Sequence, residues 1–279
     1  MSGKNGEQSS SVSTRSFFDW LRILLHSCEL FDLIVCFGFL NKCVILQIFH
    51  VQKLFESNYK FSHLSNLERE LSLSSKEAFY YSFYKRIIDA DTFEAGIERL
   101  VNDNLTEFNE NSSINSLQKF HILPEVLIGC LYKNFITLAQ HFKLPTVVCF
   151  TVERDDPKLE HEILSCEGFG EPIYFYLSVV WSLSGITIFL LYMYGYFLHR
   201  NLIAGCVVIV YYFCMHESAT NIHRQPMSRQ NFALPFIIWQ TFYLNLYIDR
   251  HHFVRRSSGI NTRNYAMVKV LLILSVIFN

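Results

Sequence analysis

Apolar positions fall into a few long, nearly uncharged runs, separated by one polar stretch more than a hundred residues long. The first run, Phe31–His50, is broken near its middle by Asn41 and Lys42. Ile173–Leu198 is uncharged throughout and long enough to cross a bilayer as a tilted helix. Leu202–Met215 follows a tight His199-Arg200-Asn201 turn, but it is too short to cross a roughly 30 Å hydrocarbon core unaided. Phe232–Ile248 is a fourth segment, and the chain stops within a fifth, 268–279. The fold class expected is therefore mainly α, a multi-span helical membrane protein with a large helical loop after its first span. Its parts are a disordered, cytosolic tail over 1–30, a first span over 31–50, an extramembrane domain over 51–171, and further spans over 172–279 (about 173–198, 202–215, 232–248 and a truncated 268–279).

The polar stretch carries its own helix signals. Ser65-x-x-Glu68 and Ser74-x-x-Glu77 match the capping box, in which an N-cap oxygen and an N3 carboxylate satisfy orphan amides, and Asp91-x-x-Glu94 mimics it. Helices are predicted to start near 66, 75 and 92. Pro124 opens another, whose apolar positions Val126, Leu127, Leu131, Phe135, Ile136 and Leu138 suit packing against an apolar surface. Asn104-Leu105-Thr106 and Asn111-Ser112-Ser113 are glycosylation acceptors if this loop is luminal.

Composition agrees with the membrane reading: 51% of residues are hydrophobic, 18% are charged, and 26 are Phe. A net charge of −1 gives no basic face for nucleic acid. The eight cysteines form no C-x-x-C, and no H-E-x-x-H is present. Arginines cluster after the fourth span and in the 199–201 turn, which by the positive-inside rule puts the tail in the cytosol and the 51–171 and 216–231 loops on the luminal side. An endoplasmic reticulum membrane location follows for a eukaryotic chain.

The stretches FSHLSNLERELS (61–72), YYSFYK (80–85), NDNLTE (102–107), INSLQKF (114–120), LPEV (123–126), SCEGFGEP (165–172) and RQNFALPF (229–236) resemble, in order and spacing, the dumpy-type protein C-mannosyltransferases, membrane glycosyltransferases of the GT-C class. The resemblance implies transfer of mannose from dolichyl-phosphate mannose to indole C2 of tryptophan in W-x-x-W sequences. It implies a lipid-linked sugar donor, nascent or unfolded acceptor proteins and membrane lipids as partners, and no metal or other cofactor. Members of that family are considerably longer, so the chain resembles an N-terminal portion.

The chemistry needs a base for the indole C2 proton, and a carboxylate within reach of it serves. Aligned without gaps, the family's glutamate falls on Lys76, with Glu77 next. Glu77 is the first candidate and Glu70 the second. Each has a competing reading: Glu77 belongs to the Ser74 box, and Glu70 lies beyond the break that this box predicts. Arg229 and His216 match family positions near the membrane surface. They are the candidates for binding the donor phosphate, Arg229 through the two-pronged fit of guanidinium to phosphate, against an interfacial, snorkelling role. Cys149 and Cys166 stand where the family also has cysteines and are either a disulfide or two buried thiols. Asp89-Ala90-Asp91 is read as a cap rather than a metal site. Phe79, Tyr80, Tyr81, Phe83 and Tyr84 either stack an acceptor indole or form core. The second loop, RQPMSRQN (224–231), departs from the family's Trp-Thr-Pro-Pro-Leu-Arg-Glu-Ser pattern. Two functions therefore compete: a C-mannosyltransferase, and a catalytically inactive or truncated relative acting as a membrane scaffold or trafficking protein. A transporter is disfavoured because polar residues within the spans are sparse.

Overall fold

A computed structural model describes residues 37–103, 115–152, 163–199 and 201–256, with side chains assigned through residue 248. The expected N-terminal tail, residues 31–36 of the first span, both glycosylation acceptors and the last span lie outside these residues, as do residues 257–264 of the arginine-rich segment. Two compact units are present, Met1–Leu46 and Gln47–Asn279. In the first unit the described residues, 37–46, are helical. The second carries all the features below.

Within the second unit, helix α1 covers residues 47–59, and a short 3-10 turn follows at Phe61–His63. Helices α2 (Asn66–Leu71) and α3 (Ser75–Ile88) start where the capping boxes predict. Ser65 N–H donates to Glu68 Oε2 at 2.9 Å, and the Glu68 N–H returns a bond to Ser65 Oγ at 3.4 Å. The chain between Ser72 and Ser74 breaks the helix, so Glu70 and Glu77 do not share a continuous face. Helix α4 (Phe93–Val101) is capped by Thr92, whose Oγ1 accepts from Ala95 N–H at 3.2 Å. The expected cap, Asp91, is one residue too early. Both are good N-cap types, and sequence alone does not separate neighbouring candidates. Helices α5 (Ser116–Lys119) and α6 (Leu123–His141) complete the loop's helices, with proline in the first turn of α6 as expected.

An antiparallel hairpin, β1 (Val148–Val152) with β2 (Ile163–Glu167), is the element that the helical expectation lacked. Cys149 lies directly opposite Cys166, with Cα atoms 4.0 Å apart, and the two are joined by a disulfide. Beyond β2, Gly168 adopts φ 134°, where a Cβ would sit 2.2 Å from the Thr146 carbonyl oxygen. Only glycine tolerates both the dihedral and the approach.

Helix α7 (Pro172–His199) is the one described helix long and apolar enough to cross a membrane by length and composition. It packs against α8 (Leu202–Cys214) and α10 (Arg229–Arg256), and the short α9 (His216–Ala219) lies between those two in sequence. The main core joins α1, α3, α6, α7 and the 220–232 segment through Phe55, Phe61, Tyr84, Tyr176, Trp181 and Met227. A second cluster, Phe83, Ile87, Leu100 and Ile122, holds α4 against α3. Gly96 makes that contact possible, because a Cβ there would stand 2.9 Å from the Ile87 backbone.

Arg69 ties these parts together. Its side chain is fully buried. Nε donates to the Phe61 carbonyl at 2.8 Å, Nη1 to Asn66 Oδ1 and the Cys166 carbonyl, and Nη2 to Ser165 Oγ. Glu167 stands 3.9 Å away, and the guanidinium lies 4.8 Å from the Tyr174 ring centre. Arg69→Leu removes the charge-assisted bonds to the Phe61 and Cys166 carbonyls, Asn66 Oδ1 and Ser165 Oγ, each worth about 1.5–3 kcal/mol, although the Phe61 oxygen keeps the Leu64 N–H. Thermal unfolding of the purified chain should show a loss of about 3 kcal/mol or more, and Arg69→Lys, with one compact donor group, should recover only part of it.

Candidate active site

The N-terminus of α3 and the segment leading into α10 enclose a cavity of about 630 Å³, lined by Ser75, Lys76, Glu77, Phe79, Tyr80, Gln225, Met227, Ser228, Arg229 and Gln230. Two expected site residues, Glu77 and Arg229, thus meet on one cavity although 152 positions separate them in sequence. Glu77 is 3% exposed. Its Oε2 accepts from the Ser74 hydroxyl at 2.8 Å and the Ser74 N–H at 3.3 Å, and its Oε1 accepts from Met227 N–H at 3.2 Å. The capping-box partner and the cavity wall are one and the same carboxylate. The Tyr59 hydroxyl titrates above its ordinary range because it is buried and, secondarily, because it feels the Glu77 charge. Tyr59 donates to the Arg224 carbonyl, fixing the same segment from the α1 side.

That segment departs in sequence from the family pattern but is well bonded. Asn231 Nδ2 donates to the carbonyls of Gln225 and Pro226 at 2.7 and 2.9 Å, and Thr220 Oγ1 accepts from Ile222 N–H at 3.0 Å. These bonds set Met227 over Glu77 and start α10 at Arg229.

Arg229 is held from two sides. Nη2 donates to Glu125 Oε2 at 2.8 Å, and the guanidinium carbon stands 3.7 Å from the centre of the Tyr80 ring. Its Nε and Nη1 are enclosed without a hydrogen-bond partner among the described residues. Glu125 is fully buried, and its Oε1 accepts from the Tyr176 hydroxyl at 3.0 Å. Burial pushes the Glu125 carboxyl above the usual carboxylate range, and Arg229 opposes that rise. Arg229 also lines a second, largely apolar cavity of about 440 Å³ with Leu123, Leu127, Leu131, Val179, Leu183 and Phe236. A cation therefore stands where a cavity lined by several charged and polar side chains adjoins an apolar groove.

The other candidates lie elsewhere. Glu70 is paired with Lys85 Nζ at 2.5 Å, accepts from the Tyr81 hydroxyl at 3.4 Å, and does not line the Glu77 cavity. His216 does not line it either. It is buried, with Nε2 3.0 Å from Gln47 Nε2, and Gln47 also donates to Ser184 Oγ at 2.8 Å. Burial, with smaller contributions from His50 and His223, lowers His216 to about 4. It is a neutral group near pH 7 and offers no positive charge to a phosphate.

The aromatic run divides. Phe83 and Tyr84 are fully buried core and Tyr81 is nearly so, whereas Phe79 and Tyr80 line the cavity. Sequence reasoning passed over Glu125 and the seat of Tyr80 under Arg229. The available signal was an acid in the first turn of a predicted helix, which the helix dipole explains equally well.

A family profile described as "Dpy19: Q-cell neuroblast polarisation" matches residues 42–279. The chain is 37% identical over 215 residues to the human "Probable C-mannosyltransferase DPY19L2", covering 75% of this chain and 28% of that protein. It is 35% identical over 191 residues to the "Protein C-mannosyl-transferase DPY19L1" of Rattus norvegicus, covering 68% and 25%. It is 33% identical over 189 residues to the "C-mannosyltransferase dpy-19" of Caenorhabditis elegans, covering 68% and 27%. The chain belongs to the Dpy19 family. It spans about a quarter of the length of these curated relatives.

The double duty of Glu77 has a measurable consequence. Glu77→Ala removes the carboxylate half of the Ser74 capping box and the Met227 anchor together, at about 1–2 kcal/mol. Limited proteolysis should then cut the 220–228 segment faster. Glu77→Gln keeps an oxygen for Met227 and should leave that segment nearly as resistant as in the parent chain.

Proposed function

We propose that the chain contributes the base and the donor-phosphate ligand of a protein C-mannosyltransferase at the luminal face of the endoplasmic reticulum membrane, with α7, α8 and α10 among the spans of a GT-C-type protein. The observation that carries this reading is the meeting of Glu77 and Arg229 on one cavity, with an apolar groove opening beside Arg229. Dolichyl-phosphate mannose has a matching form: an apolar tail, a phosphodiester and a sugar. In this reading the tail follows the Leu123–Leu127–Leu131 groove, and the phosphate meets one edge of the Arg229 guanidinium, through Nε or Nη1 together with Nη2. Mannose then extends toward Glu77.

The chemistry follows from that placement. Indole C2 of the acceptor tryptophan attacks the anomeric carbon, a C–C bond forms, and the bond from that carbon to the phosphate oxygen breaks. Dolichyl phosphate departs with the bonding pair, its charge met by Arg229. Glu77 takes the C2 proton and restores the aromatic ring. Glu77 Oε2 already accepts two bonds from Ser74, but Oε1 accepts only the Met227 N–H and has capacity for a further bond. Lys76, in the ungapped alignment position of the family's glutamate, is exposed at the cavity and adds positive charge beside the departing phosphate.

One observation favours a second reading, a scaffold without activity. Glu77 is fully accounted for as the capping-box partner of Ser74 at the start of α3 and the anchor of Met227. Expression of the chain in cells lacking endogenous activity, with mass spectrometry of a W-x-x-W reporter, separates the two. The enzyme reading expects the mass of one hexose on tryptophan, abolished by Glu77→Gln and Arg229→Gln and retained by Glu70→Gln. A hexose that survives Glu77→Gln removes Glu77 from the chemistry, and the absence of any product favours the scaffold.

A further inference from the structure

We propose that Glu125 takes up a proton from solvent when a phosphodiester binds Arg229, so that anion binding at this site is proton-coupled. The inference rests on reading Arg229 as the phosphate ligand, and it concerns how that ligand is set and released.

The geometry supplies the argument. A guanidinium offers an oxyanion two bidentate edges, Nε with Nη2 and Nη1 with Nη2. Both include Nη2, the nitrogen that already donates to Glu125 Oε2 at 2.8 Å. A phosphodiester that uses either edge therefore shares this nitrogen with a buried carboxylate. Two anions then lie on one cation, and like charges at that range disfavour the ionised form of one of them. The phosphodiester cannot yield, because its single charge does not titrate near neutrality. Glu125 can. It is fully buried, whereas Arg229 retains partial exposure, so the carboxylate depends more on the pair than the cation does.

The surroundings of Glu125 support uptake. Arg229 faces it from α10 and Tyr176 from α7, with Tyr84 of α3 edge-to-face against the Tyr176 ring, centres 5.3 Å apart. Tyr80 of α3 lies beneath Arg229, and His121 lines the groove on the α6 side. Across the larger cavity stand Lys76 and Glu77. Arg229 is the cation that pairs with Glu125 among the described residues, and Tyr176 donates a neutral hydrogen bond that survives protonation at Oε2. Burial already places the Glu125 carboxyl above its ordinary range, with Arg229 as the main opposing influence. Diverting that influence to a second anion moves it further in the same direction. The balance is simple: one proton leaves the buffer, one Glu125 carboxylate becomes a carboxylic acid, and Nη2 is freed for the phosphate. Departure of the anion reverses each step.

The test is calorimetric titration of the full chain in detergent with a short-prenyl mannosyl phosphodiester, repeated near pH 7 in buffers of different ionisation enthalpy. The expected result is a binding heat that changes linearly with buffer ionisation enthalpy, with a slope reporting net proton uptake of up to one per bound ligand. Affinity should fall as pH is raised. In Glu125→Gln the slope should drop to zero while binding persists, since the amide is already neutral. An infrared difference spectrum on ligand addition supplies a check that needs no variant, because a protonated-carboxyl stretch should grow in the parent chain. Binding with no dependence on buffer overturns the coupling and leaves the phosphate site standing. Uptake that persists in Glu125→Gln moves the proton to another group and overturns the assignment. No binding in the parent chain overturns the phosphate-site reading, and this inference with it.

Discussion

A buried guanidinium organises the large loop. Arg69 reaches the 3-10 turn, α2, the hairpin and the start of α7 from a single position, and each of its nitrogens has a carbonyl or hydroxyl acceptor. The desolvation of such a cation is costly unless every donor is satisfied, so these elements must all be in place together or the charge is stranded. Glu167, 3.9 Å away and partly exposed, gives the group a distant counter-charge rather than a close pair. The α3 terminus that carries Glu77 begins only a few residues beyond α2, and its position inherits this clamp.

The second ionic feature works differently. Glu125 and Arg229 form a close pair across α6 and α10, with Tyr176 and Tyr80 supplied by α7 and α3. Four helices meet at a single charge pair, where a cavity lined by several charged and polar side chains adjoins an apolar one. Such a pair does little for net stability, since desolvation offsets attraction. Its value lies in fixing where a cation points.

Much of this was legible in the residues. The two Ser-x-x-Glu boxes placed α2 and α3 correctly because the signal is local and chemical: an oxygen and a carboxylate a fixed distance apart. Thr92 displaced Asp91 as a cap because adjacent residues of good cap type differ only in backbone dihedral, which context sets. The hairpin escaped because VCFTV and ILSCE are short apolar runs, equally fit for a buried helix segment. Arg69 sits between two glutamates and reads as a solvated charge, and nothing local announces that its neighbours turn outward while it turns in. The joining of Glu77 and Arg229 on one cavity depends on tertiary contacts between segments far apart in sequence. Their individual candidacy came from family resemblance.

The Cys149–Cys166 bond has a thermodynamic consequence through the residue it shares with the clamp. The Cys166 carbonyl accepts from Arg69, while its sulfur is bound to Cys149. Oxidation of the hairpin pre-orders an acceptor for the guanidinium, and seating the guanidinium holds Cys166 where its partner can reach it. By linkage each event favours the other by the same free energy. Disulfide formation and the seating of Arg69 are therefore coupled equilibria that meet at a single amino acid, Cys166.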